Sequence, residues 1–406
     1  MGSDGNLVAD NPDRLTAAPV LASGGQGAWN RFVGWPAREA RVVLFAFLML
    51  LVASAMVPVE AGRSKVETQS FTENLADTSA AKRERDDDLA LYDRAIERIR
   101  GGEHYYDFIV AEQRAADYPL RPGVAVRLPT LAYINAWLGM SGQVAASLAL
   151  LLAVMMAWWR RLGEEPGGKQ KRLTAFALLL VGASLGLNRH FFVLHELWAG
   201  MLLALSFALH RPGTEAGKDG KWGWALAVAA LAVAIREHAL PFILLMAALA
   251  LWRRNWKEGA AWSVLALAFL ALLAVHLQII GAQVLPSDPY GQGWMELRGL
   301  SGWISYVALS SNLRFLPGFV AGPLVVLAML GWAAWKSPAG LFGLLLYAGY
   351  GLLFMIAGRP DNFYWGAMVA PAMLVGLAFA APGLRALIAA AAAPVEADRT
   401  PQSNCA

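Results

Sequence analysis

Apolar runs close to the thickness of a bilayer recur along this chain, and no other feature restricts its folding as strongly. They fall at 42–57, 142–159, 173–187, 196–209, 222–235, 239–252, 260–282, 318–335, 339–357 and 364–381. A helix crosses the hydrocarbon in roughly 20 residues, so these runs predict about ten spans, the shorter ones tilted or extended by a turn. Inside lipid every backbone N–H and C=O must be bonded within the protein, which selects helices. Composition agrees: 57% of residues are hydrophobic and 16% charged, with a mean hydropathy of +0.44. No soluble core would hide that surface. The expected fold is an all-α integral membrane protein, a polytopic helical bundle with a large outer first loop.

Between the runs the chain divides into a polar, Gly-, Ala- and Asp-rich tail over 1–41, expected to be disordered, a transmembrane region over 42–385, and a second tail over 386–406. Ala53-Ser54-Ala55 after the first run resembles a signal-peptidase site, but the preceding segment is too long for a leader, which favours an uncleaved anchor. Basic residues mark the inner side. Arg160, Arg161, Lys169, Lys171 and Arg172, then Arg211, Lys218 and Lys221, then Arg253, Arg254 and Lys257, then Lys336 lie in alternate short loops and outnumber those in the opposing loops. The positive-inside rule therefore predicts cytoplasmic termini and an outer, periplasmic loop over 59–128, in a bacterial-type inner membrane. Tryptophan pairs at predicted ends, such as Trp158 and Trp159 or Trp252 and Trp256, suit an interfacial belt. A net charge of +4 is no more than such loops supply, and implies no nucleic-acid partner. The single cysteine, Cys405, leaves no internal disulfide or cysteine metal cluster.

With this orientation His104, His190, His195, His238 and His276 fall toward the outer side and His210 toward the inner. Three outer turns each combine an arginine with polar neighbours: Asn188-Arg189-His190, Arg236-Glu237-His238 and Arg359-Pro360-Asp361-Asn362. A single such group is commonly a solvated cap. Three converging on one face make a cluster suited to an anionic phosphate, with Arg189, His190, Arg236, His238 and Arg359 as its candidate ligands. His195-Glu196 begins like a zinc-protease motif but lacks the second histidine, so neither a metal nor another cofactor is implied. A further outer stretch, 283–317, has an apolar-faced segment at 303–309 that would either cover a bound lipid or form a surface helix.

The first outer loop carries the second signal. Leu89, Tyr92, Ile96 and Ile99 recur at helical spacing, so an amphipathic helix is expected from Asp88 to Arg100, opened by Asp86-Asp87-Asp88, ended by Gly101-Gly102 and lying on the membrane surface. The aspartates would serve either as helix caps or, in one case, as a general base. One span followed by Asp88-x-x-x-Tyr92, Gly102-Glu103-x-Tyr105-Tyr106, Tyr118-Pro119 and Arg127-Leu128-Pro129 resembles the GT-C superfamily of membrane glycosyltransferases. That resemblance implies an inverting sugar transfer from a polyprenyl-phosphate donor to a glycan, lipid or protein acceptor. Asp88 best matches the catalytic aspartate, with Asp87 and Asp86 close by, and Tyr105, Tyr106 and Arg127 would be acceptor or loop contacts. Asp88 is followed by Leu89 rather than by the commoner glutamate. The competing readings are a transporter or lipid flippase, against which the spans lack acids at mid-depth, and a non-catalytic envelope-polysaccharide assembly protein.

Overall fold

The computed structural model describes residues 29–59, 87–212, 220–291 and 293–394. Among them the protein is helical, with no strand beyond isolated bridges. The main helices are α1 (Ala37–Met56), α2 (Asp87–Arg100), α3 (Tyr105–Ala115), α4 (Thr130–Glu164), α5 (Arg172–Gly182), α6 (His195–Leu209), α7 (Gly223–Ile235), α8 (Leu240–Trp252), α9 (Trp256–Gly281), α10 (Gly299–Leu309), α11 (Gly318–Ala334), α12 (Pro338–Ile356) and α13 (Leu377–Ala392). Five stretches are long and apolar enough to cross a membrane: α1, α4 with the turn before it, α9, α12, and residues 370–392. The protein is therefore a helical membrane protein.

Burial says how these helices meet lipid. In α1 and α9 only 17% and 22% of the apolar window is buried, so side chains such as Phe45, Met49, Leu267 and Leu272 point out of the bundle. In water that surface would be untenable, and in a bilayer it costs nothing. The centre is packed by α6, whose residues are buried on every side, with α4 and α7 against it. Small residues permit the closest crossings. A Cβ on Gly200 of α6 would collide with the Ala367 carbonyl, and one on Gly322 of α11 with the Ser54 carbonyl of α1. Ser54 is thus packed into the bundle, where α1 lies against α11 and α13, while Ala53 is exposed.

Three boundaries differ from the sequence expectation. Within the tail over 1–41, the segment 29–35 is anchored: Trp29 and Phe32 are buried, Trp29 meets the Phe379 ring at 5.7 Å, and Arg31 N–H donates to the Ala334 carbonyl at 2.8 Å. Two aromatic anchors suffice to dock a segment that has no periodicity of its own. At the other end α13 runs to Ala392, beyond the expected limit at 385, because its alanine-rich tail keeps full helix propensity. Finally, 303–309 is neither a cover nor a surface helix. It forms most of α10, and Gly302 to Ala308 are buried between α12 and the segment Pro360–Met368.

The amphipathic helix of the first loop is α2, as expected, and its end follows from Gly102 at φ +90° with Gly102 N–H bonded to the Ile99 carbonyl at 3.0 Å. It does not lie bare on a surface. Leu89, Leu91, Ala95 and Ile96 are buried against α3 and α4, while Arg94 and Arg98 pair with Glu112 and Glu103 on the exposed side. The helix α4 bends at Gly139, φ +63°, which separates its loop-packing first turns from its long apolar shaft. Arg100 donates to the Asn135 and Ala136 carbonyls just before that bend.

Candidate functional site

At the end of the bundle where α2, α4 and α6 meet, charged and aromatic groups from four segments gather. His195 and Glu196 form the first turn of α6, and Arg236, Glu237 and His238 the turn between α7 and α8. Arg127 precedes α4, and Tyr364 and Trp365 come from the segment 360–368. Arg236 is 1% exposed, with its Nε 2.7 Å from Glu196 Oε1 and its Nη1 paired with Glu237. Two carboxylates thus share one buried guanidinium. Arg127 Nε donates to the Tyr92 hydroxyl at 2.9 Å, a neutral partner, with Glu196 and Glu237 close enough to add to its field.

Around this ionic core are nitrogens with little to bond. The His195 ring is buried, meets Tyr92 edge-on at 5.1 Å and has the Leu128 backbone beside it, yet neither nitrogen makes a well-formed hydrogen bond. The His238 ring lies 4.4 Å from the Trp365 ring, and His238 Nδ1 and Trp365 Nε1 are buried without a partner. Buried polar groups are normally satisfied, so such a concentration at one place marks a site for something that supplies the missing bonds.

Among the phosphate candidates, Arg236 and His238 enter this cluster. Arg189 stays exposed on the turn before α6, and His190 packs edge-on against Phe191 at 5.0 Å, its backbone N–H capped by Asn188. Arg359 forms a two-pronged pair with its neighbour Asp361, at 3.1 and 2.7 Å, while its carbonyl accepts from the Tyr306 hydroxyl. The Tyr306 ring in turn stands 6.2 Å from Trp365, so Arg359 borders the cluster rather than joining its core.

Of the loop contacts, Tyr105 is buried and donates to the Arg127 carbonyl at 2.8 Å. Burial pushes its phenol well above the usual range, which keeps it a neutral donor that fixes the backbone of Arg127. Tyr106 bonds His276 Nδ1 at 3.0 Å and ties α3 to α9. Tyr105 thus positions Arg127 directly, and Tyr106 reaches it only through His276, whose Nε2 bonds the neighbouring Val126 carbonyl at 3.1 Å. Asp86 lies outside the described residues, while Asp87 and Asp88 fall in the first turn of α2. Asp88 is one helical turn before Tyr92 on the same face.

Glu196, Glu237, His195, Tyr92 and Trp365 were not among the expected ligands. For His195 and Glu196 the signal was a polar pair heading an apolar run, which reads as an incomplete zinc motif until Arg236 is seen across from it, while Glu237 and Tyr92 stood within motifs already singled out. No protein-family model, curated protein or solved structure matches this chain.

Proposed function

We propose that the protein is a membrane glycosyltransferase of GT-C type, with about ten spans and cytoplasmic termini. It moves a sugar from a polyprenyl-phosphate donor to an acceptor hydroxyl at the outer face of the inner membrane, with inversion. The observation that carries this reading is the joining of α2 to the ionic cluster: one turn beyond Asp88, Tyr92 bonds Arg127 and packs on His195. An acid that can take a proton and a cation that can hold an anion are thereby linked at one end of the bundle.

In this reading the Asp88 carboxylate accepts the acceptor's hydroxyl proton while the acceptor oxygen attacks the anomeric carbon. The bond from that carbon to the phosphate oxygen breaks, and the lipid phosphate leaves with the electron pair. Arg127 is the guanidinium best suited to meet the developing charge, since its Nε partner is a neutral hydroxyl. His238 stands in the cluster and Arg359 at its border, while Arg189 and His190 lie on the turn before α6. Arg236, already held by two carboxylates, shapes the cluster.

The test is Asp88→Asn in membrane vesicles given labelled polyprenyl-phosphate hexoses. Turnover is expected to fall about 100-fold to 10,000-fold with donor binding intact, the range that general-base catalysis supplies. Asparagine caps a helix nearly as well as aspartate, so a purely capping aspartate predicts almost no change. Asp86→Asn and Asp87→Asn run beside it identify the base. Parental transfer rates in all three variants would sink the reading and bring a transporter forward.

A further inference from the structure

At the opposite end of the bundle a second polar group lies open, and it takes no part in the proposed transfer. Arg161, in the last turns of α4, is 1% exposed, and its Nη2 pairs with Glu165 Oε1 at 2.7 Å. Its Nε and Nη1 are buried with no hydrogen-bond partner. Arg161 lines a cavity of about 10 Å³ together with His210, Met246, Arg253, Glu258 and Phe342. That is room for a single oxygen-sized group, such as one water.

The one carboxylate on the cavity wall is already engaged. Glu258 Oε1 accepts from His210 Nε2 at 2.6 Å and from Trp262 Nε1 at 3.3 Å, and its Oε2 accepts from Asn255 Nδ2 at 3.0 Å. The wall side-chain atoms left without a partner are donors, two guanidinium nitrogens of Arg161, and the half-buried Arg253 stands beside them. A water would leave one of its own hydrogens facing cations. An anionic oxygen would not. Trp252 and Trp256, 72% and 67% exposed, flank Arg253 in the sequence and suit the interfacial depth at which phosphates lie.

We propose that this cleft is an anion site that takes a phosphate group, one nonbridging oxygen seated in the cavity against Arg161 and the rest meeting Arg253. Basic pockets between helices at the membrane boundary bind phosphate-bearing lipid headgroups in this way, and a free phosphate carries the same chemistry.

The full-length protein in detergent is titrated with phosphatidylglycerol, with diacylglycerol, which lacks the phosphate, and with inorganic phosphate, and bound species are counted by native mass spectrometry. Phosphatidylglycerol is expected to bind in preference to diacylglycerol, and Arg161→Gln and Arg253→Gln each to weaken it about ten-fold, the effect of losing one charge-assisted contact. Arg254→Gln, an exposed neighbour outside the cavity wall, serves as the control and should leave affinity unchanged. Retention of phosphatidylglycerol against millimolar phosphate assigns the site to a lipid headgroup, and binding of phosphate with no preference between the two lipids assigns it to the free anion. Arg253 is partly exposed, so its variant decides the matter even if Arg161→Gln fails to fold. Equal affinities in the parent and Arg253→Gln for both phosphate probes overturn the proposal.

Discussion

The two ends of α6 carry the same ingredients in opposite states of completion. At its first turn, Glu196 and Glu237 pair with Arg236, and among what stays open is histidine and tryptophan nitrogen. Past its last turn, His210, Trp262 and Asn255 engage both oxygens of Glu258, and the side-chain nitrogens left open are those of arginine. A buried ion pair is weak evidence for stability, because desolvating both partners offsets much of their attraction. The informative quantity is what each pairing leaves over. The first end retains a mixed, largely neutral set of hydrogen-bonding groups over a cation, suited to a polar substrate with an anionic part. The second retains donors alone, suited to an anion.

The sharpest way to break this comparison is to ask which end faces which side. With Cys405→Ser as background, Ala115→Cys at the end of α3 and Arg254→Cys after α8 give one exposed thiol at each end. The charge asymmetry of the short loops predicts an all-or-none outcome in intact cells: an impermeant maleimide labels Ala115→Cys and leaves Arg254→Cys unmodified until the membrane is opened. The reverse pattern would put the proposed transfer on the cytoplasmic side, where its donor and acceptor reading no longer holds.

Next in size is the unequal cost of disturbing the two pairings. Arg236→Met strands two carboxylates where the guanidinium was 1% exposed, and breaking a buried pair from one side costs about 3 to 5 kcal/mol. Glu258→Gln keeps the shape and an acceptor for His210 and Trp262, so roughly 1 to 2 kcal/mol is expected, the worth of one charge-assisted contact. Thermal unfolding of both variants in one detergent measures the difference. Were Arg236→Met no less stable than Glu258→Gln, Arg236 would be held more loosely than its two carboxylate contacts imply, and its role as a phosphate ligand would regain ground.

Much of this architecture was legible in the sequence. Periodicity located α2 to within a residue, and the apolar runs located α6 to α9 and α12, because lipid leaves little choice of structure and each signal is local. The anchored segment 29–35 was not legible, since Trp29 and Phe32 stand alone in a Gly- and Ala-rich stretch and gain meaning only against Phe379 and Ala334. In the site, Arg236 and His238 stood out as polar residues between apolar runs. That Glu196 would neutralise Arg236 was invisible, because the two are forty residues apart and meet only once α6 and α7 pack. Tyr92 was read correctly as part of an apolar stripe, but nothing in that stripe tells that its hydroxyl meets Arg127.

The smallest expected effect concerns the strap that ties the first loop, through α3, to the segment after α9. Arg114 grips Asp288 with two contacts, Nε to Oδ1 at 2.6 Å and Nη2 to Oδ2 at 2.8 Å, and the Leu285 N–H adds a third at 2.7 Å. The Arg114 guanidinium is the chief cause that holds the Asp288 carboxyl down at about 2, against the opposing pull of desolvation. A carboxylate with a lowered folded pKa contributes stability that is fully present above its unfolded value, about 3.9, and fades as pH falls through the folded one. The strap should therefore hold at pH 4 and release near pH 2. Pepsin works across that window, and the 283–298 segment offers it Leu285, Met295 and Leu297, all exposed. At pH 4 Asp288→Asn should be cut there several times faster than the parent, because its amide cannot carry the charge that Arg114 grips. Near pH 2, where the parent's own carboxyl takes up its proton, the two rates should converge. A constant ratio across the window would mean that the loop is held by its other contacts, the Gln283 amide on the Tyr106 carbonyl and the Arg121 guanidinium on the Tyr290 ring, and that Asp288 adds nothing to them.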